Sequence, residues 1–214
     1  MLRKQSKKIW NFENQFYHTS DNSRLNKLVY HYEIVKKIYP VKGDFFEFGV
    51  FKGLSFIRFL TFSKLIDRQK RTFYGFDTFG KFPKQKNKFD KKFVKFWSKY
   101  AGDSLEKKKL DKILKKKKLY NYKLIKGNIF NTLEDFLKTY SKKIALLHLD
   151  LDTYEVTKYV IYRLSSHLQK GSIILCDDYK STIGATKAIN EFLKSKRKKI
   201  KRIPGHKNPY YIEI

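Results

Sequence analysis

Two hydrophobic rhythms alternate along the chain. From Ser23 to Tyr39, the residues Leu25, Leu28, Tyr32, Val35 and Ile38 recur at the spacing of one helix face, and Ser23 stands where an N-cap belongs. Residues 1 to about 40 are therefore expected to form a helical cover. "VKGDFFEFGV" then reads as a short buried strand broken by Gly49, and "KGLSFIRFLTFSKLI" as an apolar helix. "RTFYGFD" is a second strand ending at Asp77, "LYNYKLIKG" a third and "KIALLHLD" a fourth. Between the third and fourth, "TLEDFLKTY" is a short helix capped by Thr132 or Asn131. From Thr153, Val156, Val160, Leu164 and Leu168 recur at every fourth position, and Gly171 is the expected helix stop. "SIILCDD" is a fifth strand, "GATKAINEFLKS" a helix, and "KKIKRI" with "PYYIEI" a closing antiparallel pair.

Strand and helix alternate about five times. That order predicts an α/β fold with a mainly parallel sheet covered by helices on both faces. With 214 residues and neither internal repeat nor linker, the pattern implies a single domain. The stretch 80–118 interrupts it with lysine runs and the aromatic cluster "FDKKFVKFWSKY", read as a helical insertion or lid with solvated lysines.

Charge changes the picture moderately. The formal net charge is +29, which favours anionic partners, but lysine rather than arginine supplies it. No specific nucleic-acid target is expected. No apolar run approaches the ~20 residues that span a bilayer. The basic N-terminus has no apolar signal core, so a cytoplasmic protein is expected. The one cysteine, Cys176, excludes an internal disulfide and reads as a small apolar strand residue.

The acidic residues carry the chemistry. Asp77, the pair Asp150 and Asp152, and the pair Asp177 and Asp178 all fall at the carboxyl ends of strands, where open parallel sheets bind ligands. Carboxylates gathered at one sheet edge repel one another, and a hard divalent cation is the simplest compensation. Asp152 alone could instead cap the following helix. The turn "EFGVFKG", from Glu47 to Gly53, has two glycines leading into a helix and permits close backbone approach to a ligand. An acid about 25 residues on, Asp77, fits a ribose hydroxyl pair. His148 shares a strand face with Asp150 and is a second candidate base, although a core histidine is the expectation; His18 and His206 carry no signal.

Six segments, "GDFFEFGVFKGLS", "YGFDTFGKFP", "KGNIFNTL", "LLHLDLDTYEVT", "IILCDDY" and "GATKAINEF", occur in that order. Together they resemble the macrocin O-methyltransferase family, which includes the mycinamicin and novobiocin sugar methyltransferases. The resemblance implies a Rossmann-like class I S-adenosylmethionine (SAM) methyltransferase with seven strands, the last antiparallel, and dependence on Mg²⁺. It implies that Asp150, Asp177 and Asp178 bind the metal and that Asp152 is the general base. Glu47, Gly49 and Gly53 would lie against the methionine part of SAM, and Asp77 would hold the ribose, with Thr78 and Phe79 beside the adenosine. Gly127 and Asn128 would approach the adenine, and Thr19, Ser20 and Arg24 would fold over the cofactor. The implied acceptor is a hydroxyl on a small molecule or glycan.

The sequence departs from the pattern at Leu54, where many members carry glycine, and at Asn128, where an acid is frequent. The N-terminal helices could support a homodimer. Two other readings remain at this stage: a glycosyltransferase that uses Asp150 and Asp152 as a D-x-D pair, and a basic nucleic-acid module on a methyltransferase fold. A base-directed methyltransferase is disfavoured by the lack of an N-P-P-Y-type segment.

Overall fold

The structure is a computed structural model that describes residues 4–66, 70–206 and 209–214. The chain opens with helices α1 (Lys4–Thr19) and α2 (Asn22–Ile38). Strand and helix then alternate through β1 (Asp44–Phe48), α3 (Leu54–Ile66) and β2 (Phe73–Asp77). Helices α4 (Lys88–Ala101) and α5 (Lys107–Lys116) form the insertion. Next come β3 (Tyr122–Lys126), α6 (Ile129–Leu137), β4 (Ile144–Leu149), α7 (Tyr154–Arg163), β5 (Leu168–Cys176) and α8 (Ile183–Lys196). The chain closes with β6 (Ile200–Lys201) and β7 (Tyr210–Glu213).

The seven strands run in the order β3-β2-β1-β4-β5-β7-β6. The first five are parallel, and β7 inserts antiparallel to both β5 and β6. The α/β expectation, with an antiparallel last strand, is met. From β1 the chain builds outward through β2 and β3, then returns to lay β4 on the other side of β1. That reversal opens a crevice at the carboxyl tips of β1 and β4, where ligands bind in such sheets.

Both sheet faces are buried because the central strands are apolar at nearly every position. Phe46 and Phe48 face one core layer with Leu147, Leu149, Ile174 and Cys176, under α6, α7 and α8. Phe45, Leu146, Ile173 and Leu175 face the other, under α2, α3 and α5. Each fully buried phenylalanine contributes roughly 2–3 kcal/mol. Cys176 is buried there as a free thiol.

Three local readings need correction. The N-cap of α2 is Asp21, not Ser23: its carboxylate accepts from Ser23 N–H at 2.8 Å and Arg24 N–H at 3.2 Å. A carboxylate reaches both free amides and favours the positive helix end, which a hydroxyl does less well. The cap of α6 is Asn128, whose side chain accepts from Phe130 N–H, rather than Asn131 or Thr132. Helix α7 stops at Arg163, and Gly171 lies inside β5 at φ +86°, where the chain is already extended. The spacing of Leu164 and Leu168 continues the apolar period only because the chain passes from helix through a 3-10 turn into a buried strand.

The insertion is helical, as expected, and is fastened to the strand tips. Leu105 N–H donates to Phe51 O at 3.0 Å, and Lys52 Nζ to Ala101 O at 2.8 Å. Buried Asp90 of α4 accepts from Tyr154 N–H at 2.9 Å, the first amide of α7. Helix α1 projects with Ile9, Trp10, Phe12 and Tyr17 exposed. No described helix is long and apolar enough to cross a membrane.

Candidate active site

The site is built where β1, β4 and β5 end side by side. Glu47 and His148 are register partners across β1 and β4, and Leu149 pairs with Cys176 across β4 and β5. The next residues, Asp150 and Asp177, therefore emerge as neighbours. Asp150 N–H donates to Phe48 O at 2.9 Å, and Asp177 N–H to Leu149 O at 3.0 Å, so the ladder holds both tips rigid.

The carboxylates of Asp150, Asp177 and Asp178 each offer an oxygen within 4.8 Å of the others. Burial and then the charges of Asp177 and Asp178 push Asp150 well above the usual carboxylate range. Asp178 is driven the same way by burial and then Asp152. Asp177 moves oppositely. Burial would raise it, but the Lys27 ammonium and then His148 outweigh burial and hold it low. Lys27 Nζ reaches Asp177 Oδ2 at 2.5 Å from α2.

Asp152 sits at φ +62°, a left-handed conformation uncommon outside glycine. The surroundings enforce it. Asp152 N–H donates to Asp178 Oδ2 at 2.8 Å, and its carbonyl accepts from Thr182 Oγ1 at 2.7 Å. The strained backbone aims the side chain back at the cluster instead of along α7, and α7 has no side-chain cap from Thr153. Burial, then the Asp150 charge, raises Asp152 to about 7. An adjacent cation would lower it, and the chain alone drives it upward.

His148 is fully buried, with Nδ1 3.5 Å from Glu47 Oε2 and Nε2 3.8 Å from Asp177 Oδ1. Burial alone would lower it, but Asp177 and Glu47 raise it to about 10. The two carboxylates thus favour the imidazolium form, which has no free lone pair to accept a proton or ligate a cation. It is a buried counter-charge rather than a satisfied core histidine. Its second neighbour His31, stacked on Phe59, is held neutral by burial and then by His148. Glu47 is likewise fully buried, and its Oε1 accepts from Ser55 Oγ at 2.7 Å.

The chain's own packing also requires the two glycines of the turn. A Cβ on Gly49, at φ +90°, would lie 1.7 Å from the Asp150 carbonyl oxygen. One on Gly53, at φ +81°, would meet Leu110 of α5 at 2.5 Å. The close approach is thus made by the chain itself, by the β4 tip at Gly49 and by the insertion at Gly53. Gly127 donates its N–H to Asp77 O at 3.0 Å, and exposed Asn128 is occupied as a cap.

Asp77 is buried at the β2 tip and already accepts from several donors. Phe79 N–H donates to Oδ1 at 2.6 Å, Ser104 Oγ to Oδ1 at 2.8 Å and Phe51 N–H to Oδ2 at 2.8 Å. The Ser104 hydroxyl takes the kind of bond a ribose hydroxyl would make. Thr78 Oγ1 bonds Lys81 O at 3.1 Å, and the Phe79 ring is buried in the core at φ +48°. Thr19 stays exposed at the α1–α2 junction beside Ser20, with its Oγ1 on Gln15 O. Lys27 is the α2 contact with the carboxylates. Sequence reasoning missed Lys27, Asp90 and Ser104, since none belongs to a motif. The one available signal was Asp90, an acid inside a lysine run.

A parallel sheet with a reversed final strand and acids at the crevice defines the fold as that of Rossmann-like, SAM-dependent methyltransferases. CalS11, a calicheamicin methyltransferase described as TDP-rhamnose 3'-O-methyltransferase, superposes with a TM-score of 0.77 at 20% identity, over 99% of this chain and 93% of its own. The O-methyltransferase NovP gives 0.75 at 19%, over 88% and 79%. TomG, an O-methyltransferase solved in complex with SAM, gives 0.54 at 9%, over 90% and 79%. A search of curated protein sequences found no match. The macrocin-O-methyltransferase (TylF) family profile matches residues 12–204, and the chain belongs to that family. It is a SAM-dependent O-methyltransferase, and the glycosyltransferase and nucleic-acid-module readings are set aside.

Proposed function

We propose that this enzyme methylates a hydroxyl of a sugar, free or carried on a glycosylated metabolite, with a divalent cation held by Asp150, Asp177 and Asp178. The observation that carries this reading is the carboxylate cluster, with oxygens from three side chains within 4.8 Å of one another at the sheet's switch point. The donor set fits Mg²⁺, a hard ion that takes oxygen ligands and keeps several waters. Asp177 Oδ1 is buried without a hydrogen-bond partner, and burial with the neighbouring carboxylates pushes Asp150 and Asp178 towards their protonated forms, a strain that a cation would relieve. The alternative grouping of His31, His148 and Asp177 is less suited, because Asp177 and Glu47 beside His148 favour its protonated form, which offers a cation no lone pair.

SAM supplies an electrophilic methyl group, and a cation at the carboxylates supplies the field that acidifies an acceptor hydroxyl. The chain's own residues do the rest. Asp152 takes the hydroxyl proton at its carboxylate, from a backbone locked by Asp178 and Thr182. Glu47, Gly49 and Gly53 would hold the methionine portion of the donor, and Asp77 would take the ribose hydroxyls in place of Ser104. Thr78, Phe79, Gly127 and Asn128 would border the adenosine, and Thr19 and Ser20 would form the cover above it.

The sugar assignment is supported by the family and by CalS11, a TDP-rhamnose methyltransferase. An open cavity of about 600 Å³, lined by Lys180, Thr182, Lys187, Asn190 and Glu191, adjoins the Asp178 turn and suits a sugar in size. The insertion beside it, 80–118, carries sixteen lysines against four acids, a frame for an acceptor with an anionic group. The exposed apolar residues of α1 support a homodimer.

The test is methyl transfer from SAM to a panel of sugars and nucleotide sugars, for the wild type and Asp152→Asn. The variant should lose about 10²- to 10⁴-fold in turnover. It should still bind SAM in calorimetry. Chelator should abolish wild-type turnover and Mg²⁺ restore it. Full activity of Asp152→Asn removes the base, and unimpaired turnover in chelator removes the metal.

A further inference from the structure

Helix α2 sends a cation into the metal cluster. Lys27 Nζ lies 2.5 Å from Asp177 Oδ2, although the two are 150 residues apart in sequence. Its charge is favoured by Asp177, Asp150 and Asp178 together, the three carboxylates assigned to the metal, despite partial burial. The ammonium therefore meets the same need for positive charge that the divalent cation would meet. Two positive charges gathered on one small carboxylate group repel each other.

We infer that Lys27 is an internal competitor of the divalent cation, a residue that sets the enzyme's metal affinity by occupying Asp177 when the cation is absent. The inference rests on the metal assignment proposed above. Three features fit displacement rather than a permanent tether. The Lys27 side chain is 31% exposed, so the ammonium can withdraw into water along its flexible stem. Asp177 keeps a second neighbour when Lys27 leaves, because His148 Nε2 faces its Oδ1 at 3.8 Å. Helix α2 does not depend on the pair for its position. Tyr30, Ile34, Val35 and Ile38 are buried beneath it, and the Arg71 guanidinium closes its C-terminal end on the carbonyls of Ile38 and Tyr39.

An ammonium already in place compensates the ionised Asp177 of the empty cluster, and it raises the cation concentration needed for loading. A neutral side chain of similar length should reverse both effects. Lys27→Met is expected to bind Mn²⁺, used as the spectroscopic probe, about tenfold more tightly than the wild type. Binding is read by electron paramagnetic resonance of free Mn²⁺ without SAM or acceptor. Lys27→Arg, which keeps the charge, should bind no more tightly than the wild type. A second measurement uses the unaltered enzyme. Acetylation of Lys27, read by mass spectrometry against the solvated lysines of α5, should rise several-fold on saturation with Mg²⁺.

Unchanged or weaker Mn²⁺ binding by Lys27→Met, with the wild type binding normally, overturns the competitor role and leaves the metal site standing. Unchanged Lys27 acetylation in saturating Mg²⁺, with Mn²⁺ binding by the wild type intact, does the same, even if the methionine variant fails to fold. Binding by Lys27→Met alone would support the inference in its strongest form. No Mn²⁺ binding by either protein would overturn the metal assignment and this inference with it.

Discussion

Gly49→Ala tests whether the crevice is rigid. The substitution adds one methyl group at φ +90°, and that methyl would lie 1.7 Å from the Asp150 carbonyl oxygen. Real Cβ atoms essentially never approach closer than 3.0 Å, so the β1 and β4 tips must part by more than 1 Å. The left-handed backbone costs alanine about 1 kcal/mol. Separation also weakens the bond from Asp150 N–H to Phe48 O, at 2.9 Å. That bond is worth about 1 kcal/mol. The sum is about 2 kcal/mol, or roughly 4–8 °C in Tm for a chain of this size. Gly205→Ala is the internal control, with φ +80° and nothing within 4 Å of the added carbon, and it should cost only the backbone term of about 1 kcal/mol. Thermal unfolding by circular dichroism compares the two. Displacing Asp150 by this much should also lower turnover on the order of 10²-fold. Equal melting temperatures for the two variants would refute the claim that β4 backbone locks the Gly49 turn.

Two further outcomes follow from the charges and the surface. Asp150, Asp152 and Asp178 have raised values in the folded chain, so between about pH 4 and pH 7 it holds protons that the unfolded chain has released. Metal-free stability should therefore fall as pH rises through that window, while Asp177, held low, contributes the opposite trend only at more acidic pH. Since a cation must displace those protons, the rise in Tm produced by Mg²⁺ should be larger at pH 8 than at pH 5.5, and equal shifts in differential scanning fluorimetry would count against a carboxylate site. For the dimer, Trp10→Glu should convert a dimer to monomer in sedimentation equilibrium with folding intact, because Trp10 is 64% exposed on the monomer and touches no core. A wild type that is monomeric at micromolar concentration removes that proposal.

The sheet and the acidic tips were legible in the sequence because both are written locally. A strand buried on both faces must be apolar nearly throughout, as "IALLHL" and "GSIILC" are, and its first carboxylate marks where burial ends. Helix caps were less legible: Asp21 outcompeted Ser23, and Asn128 outcompeted Thr132, through choices among adjacent polar residues. The order β3-β2-β1-β4-β5 was not written in any segment, yet it alone makes Asp150 and Asp177 neighbours.

From the residues by themselves came the alternation of elements, the apolar layers and the phasing of Asp77, Asp150, Asp152, Asp177 and Asp178. Tertiary structure alone decided that Lys27 reaches Asp177, that His148 stands between Glu47 and Asp177, and that Ser104 occupies Asp77. It also decided that Gly49 makes room for the Asp150 carbonyl. The physical reason is range. Periodicity and strand ends are set by which side chains must leave water within a few residues. A buried charge, by contrast, is set by whichever distant side chain the topology delivers to it, and no local pattern encodes that partner.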